Sequence, residues 1–391
     1  MTWRDGAAAL VAAALLTAAP AAAQSARNER RDLAAAEWRT SLLVYPLWDA
    51  LDGVSGYVAI GRRLPPRRGP FPTTAGFELA GRLSTSGSRG LLVAFDAPGL
   101  WPGWRVLGIV AADRFQRAPY FGLGNAPDDS VPQSRRFYRY SLRRYSGFAA
   151  VQRDLVRHLR AHAGVQVRAY RALPLEGDPT LLAADLATGA AADTGSRSGT
   201  ELRLGLLYDT RDEEASPSRG VFLEALIARG MADLAYDRYL LSAREFIPLG
   251  EYTTLGFRQS LELAGGAMPF YVMYERFTSW RPEDGFGGPT SLRNHLPGRF
   301  LAPNRAMVSA DLRFKKIDVP IAASPFRLWY VAFADAGRLW LDGERPSLSG
   351  LHWDAGVGAI AQFSKSAMFG LNIGFSGIDG FEFGGAISFG F

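Results

Sequence analysis

The chain has no cysteine. That excludes disulfide scaffolds, thiolate zinc sites, iron–sulfur ligation and cysteine nucleophiles. Lysine is nearly missing too: of 44 basic residues only Lys315, Lys316 and Lys365 are lysines, and the other 41 are arginines. Arginine is the better residue for bidentate, partly desolvated ion pairs and for phosphate contacts. Past residue 23 no run of ~18 uninterrupted apolar residues occurs, which excludes helical membrane spans. Histidine is scarce, and none of His158, His162, His295 and His352 has a carboxylate at metal-ligand spacing. No metal and no cofactor are therefore expected. Ser260 and His162 are the one loosely eligible nucleophile pair, with nothing to orient them, so no catalytic residues are assigned and no enzyme is expected. Gly122 and Gly124 lack the strand–helix context of a phosphate loop, and no nucleic-acid partner is expected.

What is present is 48% hydrophobic residues, 43 glycines in 391 residues and a net charge of +6. That is too apolar for a disordered chain. Arg4, an apolar run from Ala7 to Ala18, and Ala21-Ala22-Ala23 before Gln24 read as a secretory signal peptide over residues 1–23. The expected organisation is this signal, a short periplasmic tail over 24–38, and a transmembrane β-barrel over 39–391.

The barrel reading comes from periodicity. Phe381, Phe383, Ile387, Phe389 and Phe391 alternate with Glu382, Gly384, Ser388 and Gly390. Val308, Ala310, Leu312 and Phe314 alternate with Asp311, Arg313 and Lys315, and Leu202, Leu204 and Leu206 with Glu201 and Arg203. A period of two marks strands whose faces meet different environments. Charge on one face and unbroken apolar residues on the other suit a lumen and a lipid face; a soluble sandwich is the alternative. Strands of ~9–11 residues match a tilted crossing. Aromatics at strand ends (Tyr208, Trp353, Phe363, Phe391) fit interfacial girdles. Alternation places sixteen strands near 43, 58, 79, 93, 110, 145, 165, 204, 225, 242, 259, 310, 331, 358, 371 and 386. If the first rises from the periplasm, the long connections near 117–136, 171–198, 266–304 and 339–351 all fall outside. The inward arginines Arg203, Arg244, Arg258, Arg313 and Arg327 are expected to pair across strands with Glu201, Glu224, Glu262 and Glu382.

Four segments carry a family resemblance. Gly287-Gly288-Pro-Thr-Ser-Leu-Arg293-Asn-His295 resembles the G-G-x-x-x-V-R-G-[FY] loop of BamA/TamA-type outer-membrane barrels, the bacterial surface antigen family. Phe333-Ala-Asp335-Ala-Gly337 resembles its F-x-D-x-G strand. Tyr208-Asp209-Thr-Arg211-Asp212 with Pro217-Ser-Arg-Gly220 resembles its D-x-R-D…P-x-x-G turn, and Phe121-Gly-Leu-Gly-Asn125 a segment of its shorter members. Asn294 and His295 stand where the family has glycine and an aromatic. The stretch before the first strand is too short for a periplasmic POTRA domain.

The resemblance implies a sixteen-stranded antiparallel transmembrane β-barrel in the bacterial outer membrane, with the long 266–304 loop folded into the lumen. It implies that Arg293 latches this loop, and parity offers Asp311 and Asp335 as its inward partners. Gly287 and Gly288 would permit the loop's turn, and Gly337 a close approach. Gly384 and Gly385 lie in a last strand that would form a weak seam with the first. Phe389 and Phe391 resemble the C-terminal signal read by the barrel assembly machinery, a partner during biogenesis. Outer-membrane lipid and lipopolysaccharide, and a separate periplasmic protein, are the other implied partners. The expected function is insertion or translocation of protein or lipid without covalent chemistry. The alternative is a passive channel with a basic lumen; an outer-membrane lipid hydrolase is disfavoured by the missing catalytic constellation.

Overall fold

The computed structural model of the chain describes residues 37–49, 53–66, 70–132, 136–177, 179–192, 194–281, 283–321, 324–364 and 367–389. The expected signal peptide, most of the expected tail, Gly390 and Phe391 lie outside them.

Sixteen strands form one antiparallel sheet, each paired with the next in chain order. They are β1 (Arg39–Asp49), β2 (Gly53–Leu64), β3 (Ala75–Ser84), β4 (Arg89–Trp101), β5 (Trp104–Pro119), β6 (Arg139–Val156), β7 (Leu159–Pro174), β8 (Gly195–Asp209), β9 (Gly220–Ala232), β10 (Tyr236–Pro248), β11 (Thr253–Gly266), β14 (Asn304–Ile321), β15 (Ser324–Trp340), β16 (His352–Ser364), β17 (Ala367–Ser376) and β18 (Gly380–Phe389). Two short strands, β12 (Glu275–Arg276) and β13 (Glu283–Asp284), pair within the β11–β14 connection. Each position named from alternation falls inside one of the sixteen. Among the described residues no pairing joins β18 to β1, and no helix is long and apolar enough to cross a membrane.

The faces are sorted as alternation requires. Outward positions expose Leu91, Val93, Val110, Val167, Leu204, Ile227, Leu241, Val308 and Val357. Inward positions bury Glu201, Arg203, Glu224, Arg238, Glu262 and Asp335. A soluble fold would invert this arrangement, because it buries apolar surface away from water. Exposed Trp101, Trp104, Tyr208 and Tyr252 stand at one rim; Tyr145, Tyr239, Trp353 and Phe375 stand toward the other. Those two bands are where aromatic girdles belong.

Several strands run longer than a membrane crossing needs: β6 and β14 have 18 residues each. The extra length of β14, residues 315–321, runs past β11 toward the short β14–β15 turn, whereas that of β6 continues into a cap at the long-loop end. There Tyr140 and Leu142 of β6 and Tyr170 of β7 are buried with Tyr120, Leu181, Leu182, Phe270 and Val272. The Phe270 ring meets Tyr120 and Tyr140 edge-on, each at 5.4 Å. Helix α1 (Leu181–Thr188) supplies the two leucines; the Thr180 hydroxyl caps its start and Gly189, at φ 78°, ends it. Helix α2 (Phe270–Met273) supplies the phenylalanine. The largest apolar core thus lies over the mouth of the barrel; beneath it polar contacts alternate with smaller apolar clusters, in which Phe277, Trp280, Phe286 and Leu292 of the β11–β14 connection pack on inward strand residues.

A candidate gating site in the lumen

The β11–β14 connection returns into the barrel. Gly287 and Gly288, at φ 95° and 98°, make the turn that side-chain-bearing residues resist. A Cβ on Gly287 would strike the Leu296 carbonyl. The Ser291 hydroxyl accepts from the Gly287 N–H at 3.0 Å and donates to the Gly285 carbonyl at 3.0 Å, fixing the turn.

Arg293 follows, aimed at the inward faces of β14 and β15. Its Nε and Nη2 donate to the two carboxylate oxygens of Asp335 at 2.7 and 2.6 Å. Its backbone N–H adds a third bond to Asp335 at 3.2 Å, and Nη1 lies 2.7 Å from Asp311. The guanidinium stacks 3.9 Å above the centroid of Phe333. Burial opposes the charge on Arg293, but Asp335 and Asp311 outweigh it and raise its pKa further. Phe333, Asp335 and Gly337 share one face of β15 by period two. One carries the guanidinium, one binds it, and the third leaves room. A Cβ on Gly337 would come 2.7 Å from a ring carbon of Phe286 and 3.4 Å from Leu292, both loop residues.

Asn294 and His295 are built into the same contact. Asn294 donates to Asp354 on β16 at 3.2 Å and accepts from Asn372 on β17 at 3.3 Å. Its amide occupies the space where a Cβ on Gly374 would stand, so the glycine needed for close approach is on the wall. His295 Nδ1 lies 3.0 Å from Asp379 in the β17–β18 turn. Arg299 binds the other oxygen of Asp379 at 3.0 Å, pairs with Asp129, and lies 4.6 Å over Phe121. Burial would raise the Asp379 pKa, but His295 and Arg299 hold it below the usual carboxylate range.

A second anchor centres on Glu275, a loop residue to which alternation gives no signal. Glu275 of β12 accepts from Arg144 at 2.9 Å and Tyr170 at 3.0 Å on one oxygen, and from Arg168 at 2.9 Å on the other. Burial raises its pKa, and Arg168 and Arg144 overcome that, bringing it down to about 2. Arg238 and Arg305 donate to the Glu275 carbonyl at 2.7 and 2.9 Å, and both also bind Glu262. Arg203 binds the Thr278 carbonyl at 3.2 Å, and Glu224 accepts from the Ser279 N–H at 2.8 Å. The expectation that inward arginines pair across strands therefore needs correction. Arg203 and Arg313 pair along their own strands, with Glu201 and Asp311. Arg258 donates to the Thr290 carbonyl at 2.6 Å. Arg327 pairs with Glu213 of the β8–β9 turn and, more loosely, with Asp318 across on β14.

The other end of the lumen is narrowed by the β8–β9 turn. Arg211 makes a fork to Asp209, both bonds at 2.9 Å. Glu214 then reaches Arg105 on β5 at 2.8 Å, and Glu213 reaches Arg327 on β15 at 3.0 Å. Between this turn and the Arg293 loop remains a chamber of about 310 Å³ lined by Arg211, Arg244, Arg258, Arg293 and Arg313. Gly384 and Gly385 pair with Asn372 and Leu371; Phe389 ends β18. Among the described residues no group of three His, Asp or Glu side chains could hold a metal ion.

The class defined here is a transmembrane β-barrel of sixteen antiparallel strands whose β11–β14 connection contacts inward-facing strand side chains. The chain belongs to the Omp85 superfamily, whose domain matches residues 115–389, and it is an outer-membrane protein. Among curated proteins none matches the sequence. Solved structures do. BamA from Haemophilus ducreyi lacking POTRA domains 1–3 is 14% identical, with TM-score 0.57 over 90% of this chain and 70% of that one. CdiB from Escherichia coli is 13% identical, with TM-score 0.61 over 90% and 62%. CdiB from Acinetobacter baumannii is 12% identical, with TM-score 0.54 over 90% and 59%. The chain thus spans less than two thirds of either CdiB. At these identities the likeness is one of fold.

Proposed function

We propose that the chain inserts or passes protein or lipid at the outer membrane without covalent chemistry, with the loop of Arg293 as its gate. The observation that carries this reading is the Arg293 fork on Asp335 and Asp311. It is a polar, charge-assisted contact, made by a loop rather than by the barrel wall. Such a contact can exchange for water or for a client's own carboxylates, while Phe286 and Leu292 beside it pack on Met307 and Leu339 and would have to leave that cluster as the loop moves. The seam between β1 and β18 is the proposed route for a client strand, since among the described residues no pairing joins the two and Gly384 and Gly385 lie in the middle of β18. Glycines weaken ladder pairing. A periplasmic partner would deliver the client, and the barrel assembly machinery would insert the barrel through its aromatic C-terminal end.

Planar-bilayer recording tests the gate. The wild type should show small, flickering currents, and Arg293→Ala should open more often and to larger steps. A large, steady anion current from the wild type would overturn the gate and favour a passive channel with a basic lumen.

A further inference from the structure

Four arginines form a ladder on the outward face of the barrel near its long-loop rim. Arg89 on β4 lies directly across from Arg114 on β5. Arg114 lies across from Arg143 on β6, and Arg143 from Arg171 on β7. Arg89, Arg143 and Arg171 are exposed and Arg114 is half-buried. Among the described residues none of the four has an ion-pair or hydrogen-bond partner, and the buried Nε of Arg114 is unsatisfied. The neighbouring outward strand positions hold no carboxylate: Leu91, Ala112, Tyr145 and Ala169 on one side, Gln116, Ser141 and Leu173 on the other. Asp233 of the β9–β10 turn lines the same hollow as Arg143 and Arg171 but makes no ion pair with them, its carboxylate accepting from the Ser198 N–H at 3.1 Å.

Like charges directly opposite each other destabilise a sheet. A guanidinium on the lipid face is tolerated near the interface and costs several kcal/mol at the midplane. The ladder sits at that boundary. One rung toward the membrane centre, Leu91, Ala112, Tyr145 and Ala169 are in mutual register, and below them come Val93, Val110 and Val167. Three strand spacings of ~4.8 Å make the ladder roughly 14 Å long. Two adjoining hollows of about 580 and 370 Å³ open on it, sharing Arg143 and Tyr145. Cations in a row above an apolar wall complement an amphiphile with more than one phosphate on a broad headgroup and several acyl chains.

We infer that Arg89, Arg114, Arg143 and Arg171 form a binding site for the phosphorylated glycolipid of the outer leaflet, lipopolysaccharide, through its lipid A phosphates. Arginine suits this role because its planar fork binds phosphate in a bidentate manner. The site is independent of the gate: it lies on the other face of the sheet.

The test uses the full chain in detergent, titrated with diphosphorylated lipid A and followed by native mass spectrometry. The wild type should bind it, and dephosphorylated lipid A should bind about tenfold more weakly or worse. The double variant Arg114→Gln/Arg143→Gln should lose at least about tenfold in affinity, on the order of one basic contact per residue removed. Arg229→Gln should not change it; that outward arginine pairs with Asp237 on β10. Heat-shifted gel mobility checks that each variant is folded, and the two lipids compared on the wild type need no variant at all. Equal binding of both lipids, or a folded double variant that binds like the wild type, overturns the site. Equal loss in Arg229→Gln would mean diffuse charge attraction and overturns it as well. Displacement of lipid A by an equal amount of phosphatidylglycerol would overturn the glycolipid as the occupant.

Discussion

Arg143 and Arg144 are neighbours on β6 and work in opposite ways. Arg144 points inward and is held by Asp113 at 2.7 Å and Glu275 at 2.9 Å. Arg143 points outward, faces two other arginines across the sheet, and makes no ion pair among the described residues. Inside, each guanidinium is withdrawn from water, so a counter-charge or carbonyl must come with it. Outside, at the membrane interface, the counter-charge can come from the solvent phase, in this case lipid. Of the two kinds of arginine, one belongs to the fold and the other to the surroundings.

The largest expected effect lies on the inward side. Glu275→Ala removes the acceptor that Arg144, Arg168 and Tyr170 share, leaving Arg144 only Asp113 and Arg168 only Glu201 as carboxylate partners. Removing one member of a buried charge cluster costs about 3–5 kcal/mol. Here the loss should appear as release of the loop while the barrel persists, since the strands keep their own ladders. Protease cleavage within 267–303, with unchanged heat-shifted gel mobility, is the expected result. Loss of the whole barrel would show that the loop is part of the fold and not a gate on it.

Acid should do the same through a proton. Glu275 has its pKa lowered from 4.5 to about 2 in the folded state. A carboxylate with a depressed pKa stabilises the fold above its unfolded value and ceases to as pH falls through the folded one. Loop protection should therefore be constant above about pH 4.5 and decline between there and about pH 2. Hydrogen exchange of residues 268–281 across that window checks it. The outward ladder, carrying no carboxylate, should give no comparable step in lipid-free detergent.

The two kinds of arginine also differ in how far they were legible. The sixteen strands followed from alternation because lipid and lumen impose opposite polarities on successive residues. The excess strand length did not, because in the cap the inward face of β6 turns apolar with Tyr140 and Leu142, packing on loops. Arg293, Asp335 and Gly337 could be named because a motif and strand parity coincide there. Glu275 could not: it stands in a loop with no period, and its partners Arg144 and Arg168 lie more than a hundred residues away. The arginine ladder needed the register. Arg89, Arg114, Arg143 and Arg171 look unrelated until strand pairing sets them side by side.

The smallest effect is the most discriminating, because it should change sign. Arg143→Gln removes the central charge between Arg114 and Arg171. In neutral detergent only the like-charge repulsion is lost, and cross-strand pairs of this kind are worth about 0.2–1 kcal/mol. The variant should then melt at or slightly above the wild-type temperature. With lipid A added, the wild type gains the binding free energy of its ligand and the variant gains less. The order should reverse. Arg144→Gln, one residue along and facing the lumen, should be destabilised in both media. If Arg143→Gln is destabilised equally with and without lipid A, its guanidinium serves the fold as Arg144 does, and the division between the two faces fails.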